Sequence, residues 1–211
     1  MTTTLPARSG IALVICAPSG AGKTTLVKRL VAEFPRFAFS VSCTTRAPRP
    51  EETPGTDYLF ISREEFLRRR DAGYFAEWAL VHGNFYGTPL EATRELLVSG
   101  RDVLFDIDVQ GASQLRHTIP GAWLIFILPP SRGELISRLR NRRTETPESL
   151  RKRLLVAGQE ILQAGWFHLW IVNDDLERAW QELRAAYISA TLSPACRAGL
   201  LDELLKEWRP A

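Results

Sequence analysis

The sequence predicts an α/β fold: a doubly wound parallel sheet, interrupted by a small mixed α+β insertion and followed by a helical, arginine-rich segment. Four apolar runs, Ile11–Ala17, Val103–Phe105, Trp123–Leu128 and Leu169–Val172, lack polar alternation, as strands covered on both faces do. Each is followed by sequence of helical spacing, the alternation that builds parallel sheets. Residues 45–97 read differently, with Pro48, Pro50 and Pro54 giving way to short aromatic-rich runs.

The composition fits one compact unit. The chain has 211 residues, 45% hydrophobic and 24% charged, enough to bury a substantial core, and it excludes disorder and collagen-like repeats. No Pro/Gly/Ser-rich linker divides it. Cys16, Cys43 and Cys196 are odd in number, widely spaced and not clustered with histidine, which suggests neither a disulfide framework nor a zinc site. The apolar run Ile11–Ala17 is far short of the roughly 18 residues that span a bilayer. A cytoplasmic protein without a membrane partner is expected.

Taking the elements in order, the first strand leads into a Gly-bearing loop and then a helix, with apolar residues at 26, 27, 30, 31 and 34 before Pro35. The loop, Ala17-Pro18-Ser19-Gly20-Ala21-Gly22-Lys23-Thr24, fits the pattern G-x-x-x-x-G-K-[ST] except that Ala17 replaces the first Gly. Gly20 and Gly22 let consecutive N–H groups converge on one centre, and the helix that follows adds its positive end. Lys23 can reach the β- and γ-phosphates, and the Thr24 hydroxyl can hold Mg²⁺. The residues Ser19, Gly20, Ala21, Gly22, Lys23, Thr24 and Thr25 are therefore assigned to a nucleoside triphosphate bound with Mg²⁺. The alternative is a turn that binds nothing.

In the insertion, strands are expected around Tyr58–Ile61, Tyr74–Val81 and Asn84–Tyr86, with a helix at Arg63–Asp71. The strand at Val103–Phe105 then runs into Asp106-Ile107-Asp108. Ligands of open α/β sheets gather beyond the carboxyl ends of the strands, so both acids are expected near the phosphate loop. Asp106 could organise metal-bound water and Asp108 could face a second substrate; alternatively both cap the helix at Gln110–His117. After the sheet, Asp174–Ala190 and Pro194–Trp208 read as amphipathic helix covering it.

Taken together, Ser40–Pro50, Gly55-Thr56-Asp57-Tyr58, Glu77-Trp78, Gly83–Thr88, Asp106–Gly111 and Ile171–Asp175 resemble the guanylate kinase family, in that family's order, from about Ile11 to Ala190. The resemblance implies an ATP:GMP phosphotransferase that also accepts dGMP, with a P-loop core (1–44, 98–131, 160–211), a GMP-binding insertion (45–97) and a lid (132–159). It implies that Arg46, Arg49, Tyr58 and Tyr86 hold the GMP phosphate and that Ser42, Glu77, Thr88 and Asp108 read guanine. It also implies Mg²⁺ at Thr24 and, through water, at Asp106. Asn173 falls at the ATP base or ribose.

These roles suit the residue types. Arginine forks and tyrosine hydroxyls match a phosphate dianion. Guanine donates from N1 and N2, which carboxylates accept, and accepts at O6, to which hydroxyls donate. Read alone, Tyr58 and Tyr86 could equally be packing residues and Glu77 a solvent-facing strand acid.

Residues 132–153 hold eight basic and three acidic side chains, while the whole chain carries only +3. Such a block reads as a solvated helix face, a nucleic-acid patch or a cluster closing over polyphosphate. No aromatic residues interleave with these arginines, which argues against nucleic acid. Leu135, Ile136 and Leu139 supply an apolar face, Arg138 and Arg142 share another, and Arg153 follows on a helix after Pro147. At these positions the family places arginines that reach the transferring group, so Arg138, Arg142 and Arg153 join Lys23 as catalytic candidates. Asn141 and Arg143 depart from the family pattern and leave open which of Arg140, Arg142 and Arg143 points inward. Two rivals remain: a kinase of another nucleoside monophosphate or of a small phosphorylated sugar, and a non-catalytic binding module, which typically lacks an intact phosphate loop.

Overall fold

The computed structural model describes residues 7–140 and 146–208. The elements are β1 (Ala12–Cys16), α1 (Lys23–Glu33), β2 (Phe37–Ala38), β3 (Cys43–Thr44), β4 (Leu59–Phe60), α2 (Arg63–Asp71), β5 (Phe75–Val81), β6 (Asn84–Pro89) and α3 (Leu90–Val98). There follow β7 (Asp102–Asp106), α4 (Val109–Thr118), β8 (Trp123–Leu128), α5 (Arg132–Arg140), α6 (Pro147–Leu162), β9 (Leu169–Val172), α7 (Leu176–Thr191) and α8 (Leu200–Leu205).

Five strands form a parallel sheet in the order β2-β7-β1-β8-β9. Alternate residues of β1 serve opposite faces. Leu13 and Ile15 meet Leu26 and Leu30 of α1 and Leu183 of α7, while Val14 and Cys16 meet Val109, Ala112 and Leu115 of α4. The strand order reverses at β1, so the loop after it opens at the switch point where α/β sheets hold ligands.

A second, mixed sheet has the order β4-β3-β6-β5. Phe66 of α2 stacks on Phe75 and Phe85 with ring centroids 4.4 and 5.0 Å apart, forming its own small core. A hairpin turn at His82-Gly83, both at positive φ, joins β5 to β6.

Three expectations need correction. Cys43 and Thr44, assigned to the core segment 1–44, pair with β4 and β6 of the second sheet. Residues 90–97, assigned to the insertion, belong to α3, whose Leu90, Leu96 and Leu97 pack on the main core beside Val103 and Phe105. The stretch 194–208 is not one sheet-covering helix. It breaks into a 3₁₀ turn after Pro194, Gly199 in left-handed conformation, and α8, which has no buried residue.

Candidate active site

The phosphate loop forms because β1 ends in a buried apolar run and the chain must reverse into α1 within a few residues. Gly20 and Gly22 take φ of 93° and 95°, left-handed values that side chains disfavour. No acidic side chain occupies the first turn of α1 and no side chain caps it, which leaves its positive end to a ligand. Asn173, expected at the ATP base or ribose, braces the loop: its Nδ2 donates to the Ala21 carbonyl at 2.7 Å. A Cβ on Gly22 would lie 2.2 Å from that nitrogen, so glycine is required there twice over.

Beside the loop lies a cleft of about 330 Å³ lined by Ser19, Gly20, Gly22, Lys23, Thr24 and Thr25, with Ile107, Asp108 and Glu160 opposite. A larger cleft of about 560 Å³ opens towards the second sheet and is lined by Ser42, Tyr58, Glu77, Tyr86, Thr88, Asp106 and Asp108. Lys23, Ile107 and Asp108 line both, so the two spaces meet at Lys23. The Lys23 ammonium lies 2.5 Å from Asp106 and donates to the Ile107 carbonyl at 3.2 Å. Asp106 is therefore a partner of lysine here, not a helix cap. Asp108 does cap α4, accepting from the Gly111 N–H at 2.9 Å, and faces both clefts as well.

Three of the four guanine-reading candidates, Ser42, Thr88 and Glu77, form one chain of hydrogen bonds, with Asp108 across the same cleft. Thr88 Oγ1 donates to Glu77 Oε1 at 2.6 Å and lies 3.4 Å from Ser42 Oγ. Glu77 is buried, not solvent-facing, because of a β-bulge. The register slips between Phe75 and Glu77, leaving Ala76 as an extra residue. Phe75 and Trp78, three apart, therefore both face the small core, while Ala76 meets the main core and Glu77 turns into the cleft. Burial pushes the Glu77 carboxyl above the ordinary range, the Thr88 bond opposes this, and the nearby Asp108 charge adds to it. Cys16, under the cleft, is no nucleophile: burial raises its thiol to about 12 and its Sγ lies 3.4 Å from the Asp108 carbonyl.

The phosphate-holding candidates are less closely gathered. Tyr58 and Tyr86 meet edge to face at 6.0 Å, and Arg46 lies over the Tyr58 ring at 5.6 Å. Arg46 lies outside the cleft lining and pairs with Glu52 at 2.6 Å, a bond that with Tyr86 holds its guanidinium firmly protonated. Arg49 is exposed, and its backbone N–H donates to the same Glu52 carboxylate at 2.8 Å.

Arg138 pairs with Glu134 one turn back on α5, at 2.7 Å, and Arg153 sits half-buried on α6; neither lines either cleft. Arg142, with Asn141 and Arg143, lies outside the described residues. The apolar face of α5 is as expected for Leu135 and Leu139, which are buried against Leu150, Leu154 and Ala157 of α6 and close to Gly20.

Two functional residues escaped sequence reasoning. Glu52 orients Arg46, but nothing distinguishes it from Glu51. Glu160 sits in the C-terminal half of α6, between Gln159 and the apolar pair Ile161-Leu162, and lines the phosphate-loop cleft, where burial and Asp108 raise its carboxyl against the pull of Lys23.

A phosphate loop at the switch point of a parallel sheet, opening directly into a second cleft with hydrogen-bonding acids, defines a phosphotransferase of the P-loop nucleoside monophosphate kinase class. The comparisons narrow this. The guanylate kinase family model matches residues 9–190. The guanylate kinase of Oleidesulfovibrio alaskensis is 64% identical over 96% of this chain and 98% of its own, and that of Nitratidesulfovibrio vulgaris is 64% identical over 95% and 97%. A crystal structure of guanylate kinase from Anaplasma phagocytophilum matches with TM-score 0.71 at 31% identity, over 99% of this chain and 100% of that one. The chain belongs to the guanylate kinase family.

Proposed function

We infer that the protein transfers the γ-phosphoryl group of ATP to GMP, giving ADP and GDP. The observation that carries this is the shared wall of the two clefts: Lys23 stands where a triphosphate on the loop and a monophosphate from the larger cleft would meet. A GMP phosphate oxygen attacks the γ-phosphorus as the bond to the β–γ bridging oxygen breaks, and ADP leaves. No general base is needed, because the attacking oxygen is already anionic. The work left to the protein is alignment and charge neutralisation.

Lys23 spans the β- and γ-phosphates on leaving Asp106, and the exposed hydroxyl of Thr24 with the carboxylate of Asp106 fits an Mg²⁺ ion bound with ATP. That ion would neutralise charge on the phosphates. Glu77 and Asp108 accept from guanine N1 and N2, Ser42 donates towards O6, and the Thr88 hydroxyl joins it by turning its proton from Glu77 to the base. Adenine would set a lone pair against Glu77 and leave buried groups unpaired, which selects strongly against it. Arg46, Arg49, Tyr58 and Tyr86 hold the acceptor phosphate. Arg138, Arg142 and Arg153 reach the transferring group when the lid closes, which also excludes water.

No helix among the described residues is long and apolar enough to cross a membrane, and Cys16, Cys43 and Cys196 are buried free thiols. This supports a cytoplasmic enzyme. The test is a panel of GMP, dGMP, AMP and UMP with MgATP. GMP gives ADP and GDP, dGMP also reacts because the assigned contacts avoid the sugar, and AMP and UMP do not. Lys23→Ala loses most of the activity. Absence of GMP-dependent ADP release removes the reading.

A further inference from the structure

Glu77 sits on β5, an outer strand of the second sheet, so one edge of β5 has no strand beside it. Helix α4 takes that place. The Trp78 N–H donates to Gln114 Oε1 at 3.0 Å, and Gln114 Nε2 donates to the Trp78 carbonyl at 2.8 Å. Two backbone partners of opposite sense leave the carboxamide only one orientation. One turn on, Thr118 Oγ1 donates to the carbonyl of the bulged Ala76 at 2.6 Å. Residues 76 and 78, on either side of Glu77, are thus tied to one face of α4.

The same helix begins at Asp108, and its first turn contains Gly111, where a Cβ would lie 3.2 Å from Glu77 Oε2. Glu77 stands on the second sheet and Asp108 at the N-cap of α4, so this one helix sets the distance between them. We propose that Gln114 is a positioning residue for guanine selection: its carboxamide acts as a surrogate strand for β5 and holds Glu77 in register with Asp108. This rests on the assignment of Glu77 and Asp108 to the base. Its consequence is a base pocket that keeps its shape while the phosphate-holding side chains of the insertion move.

The test compares wild type with Gln114→Ala, Gln114→Glu and Glu77→Gln. The measurements are KM for GMP, KM for ATP, kcat, and the preference for GMP over IMP, which lacks the 2-amino donor. Gln114→Ala raises KM for GMP about tenfold, a modest share of what a misplaced contact can cost. It also narrows the GMP:IMP preference and leaves KM for ATP within about twofold of wild type, a split expected when only one substrate's contacts are misplaced. Gln114→Glu, isosteric and retaining the acceptor for the Trp78 N–H, falls between, and it keeps the test available should the alanine variant not fold. Lower thermal stability with KM for GMP and the GMP:IMP preference unchanged, or an equal rise in both KM values, overturns the proposal. A damaged Glu77→Gln beside normal Gln114 variants overturns this proposal alone. A Glu77→Gln enzyme with wild-type KM for GMP overturns the guanine assignment beneath it.

Discussion

Burial drives the Glu77 carboxyl above its ordinary range, yet the role proposed for it, accepting from the guanine donors, needs it ionised. Because its folded pKa lies above the unfolded one, ionised Glu77 costs stability at neutral pH, and that cost is relieved as pH falls through the folded value. Catalysis runs the other way. kcat/KM for GMP falls as the medium is acidified, starting at a higher pH than an unperturbed carboxylate would give. Initial rates between about pH 5 and 8 check this, and Glu77→Gln loses about 100-fold in kcat/KM together with that acid limb. Gly111 offers a finer probe. An alanine Cβ would press on Glu77 Oε2 at 3.2 Å and on Ile107 Cδ1 at 3.1 Å, so the carboxylate gives way by a few tenths of an ångström. Gly111→Ala raises KM for GMP several-fold, while the helix gains up to about 1 kcal/mol in propensity. Steady-state kinetics beside urea denaturation separates the two effects.

The elements are held to one another by a few buried polar ties. Asp102, fully buried at the start of β7, accepts from Arg8 Nη1 and Nη2 at 2.8 Å each, from the Tyr187 hydroxyl at 2.6 Å and from the Ile11 N–H at 3.0 Å. Burial alone would raise its carboxyl, but these donors together hold it below the ordinary range. A lowered folded pKa gives stability that is present above the unfolded value and lost as pH falls through the folded one. Asp102→Ala is expected to cost roughly 3 kcal/mol in urea unfolding, since it strands a partly buried guanidinium and a buried hydroxyl.

How far sequence reached depended on how many residues each element devotes to one signal. β8 and β9 were legible to the residue, and β1 nearly so, because an unbroken apolar run bounded by turn residues forms a buried strand in most settings. β2 and β3 have two residues each, too few for any periodicity, whereas β4, equally short, lies inside the aromatic-rich run Tyr58–Ile61 that marked it. The bulge at Ala76 was invisible, since strict alternation gives no sign of an inserted residue. The cleft residues Ser42, Glu77, Thr88 and Asp108 were reached through their motifs. Gln114 and Glu52 were not, because each touches a partner, the Trp78 backbone or Arg46, that its own sequence surroundings do not mark, and Glu160 was not, because it reaches the cleft from a helix with no motif.

Over the whole molecule, the excess basic charge gathers on α5 and α6 while the substrate acids line the cleft between the sheets. The contact of Leu135 and Leu139 with Gly20 places α5 directly over the phosphate loop. An arginine that bonds the transferring group only in the transition state lowers kcat when removed and leaves both KM values nearly unchanged. Arg153→Ala is expected to lower kcat by roughly 10³-fold on that basis, measured at saturating ATP and GMP. The most direct test of two nucleotides meeting at Lys23 is a crystal structure with GMP and a non-hydrolysable ATP analogue bound together. The expected complex has the triphosphate on residues 19–25, the guanine between Glu77 and Asp108, and the two phosphate ends facing each other beside Lys23. Guanine bound away from both acids, or phosphates that cannot approach one another, would contradict it.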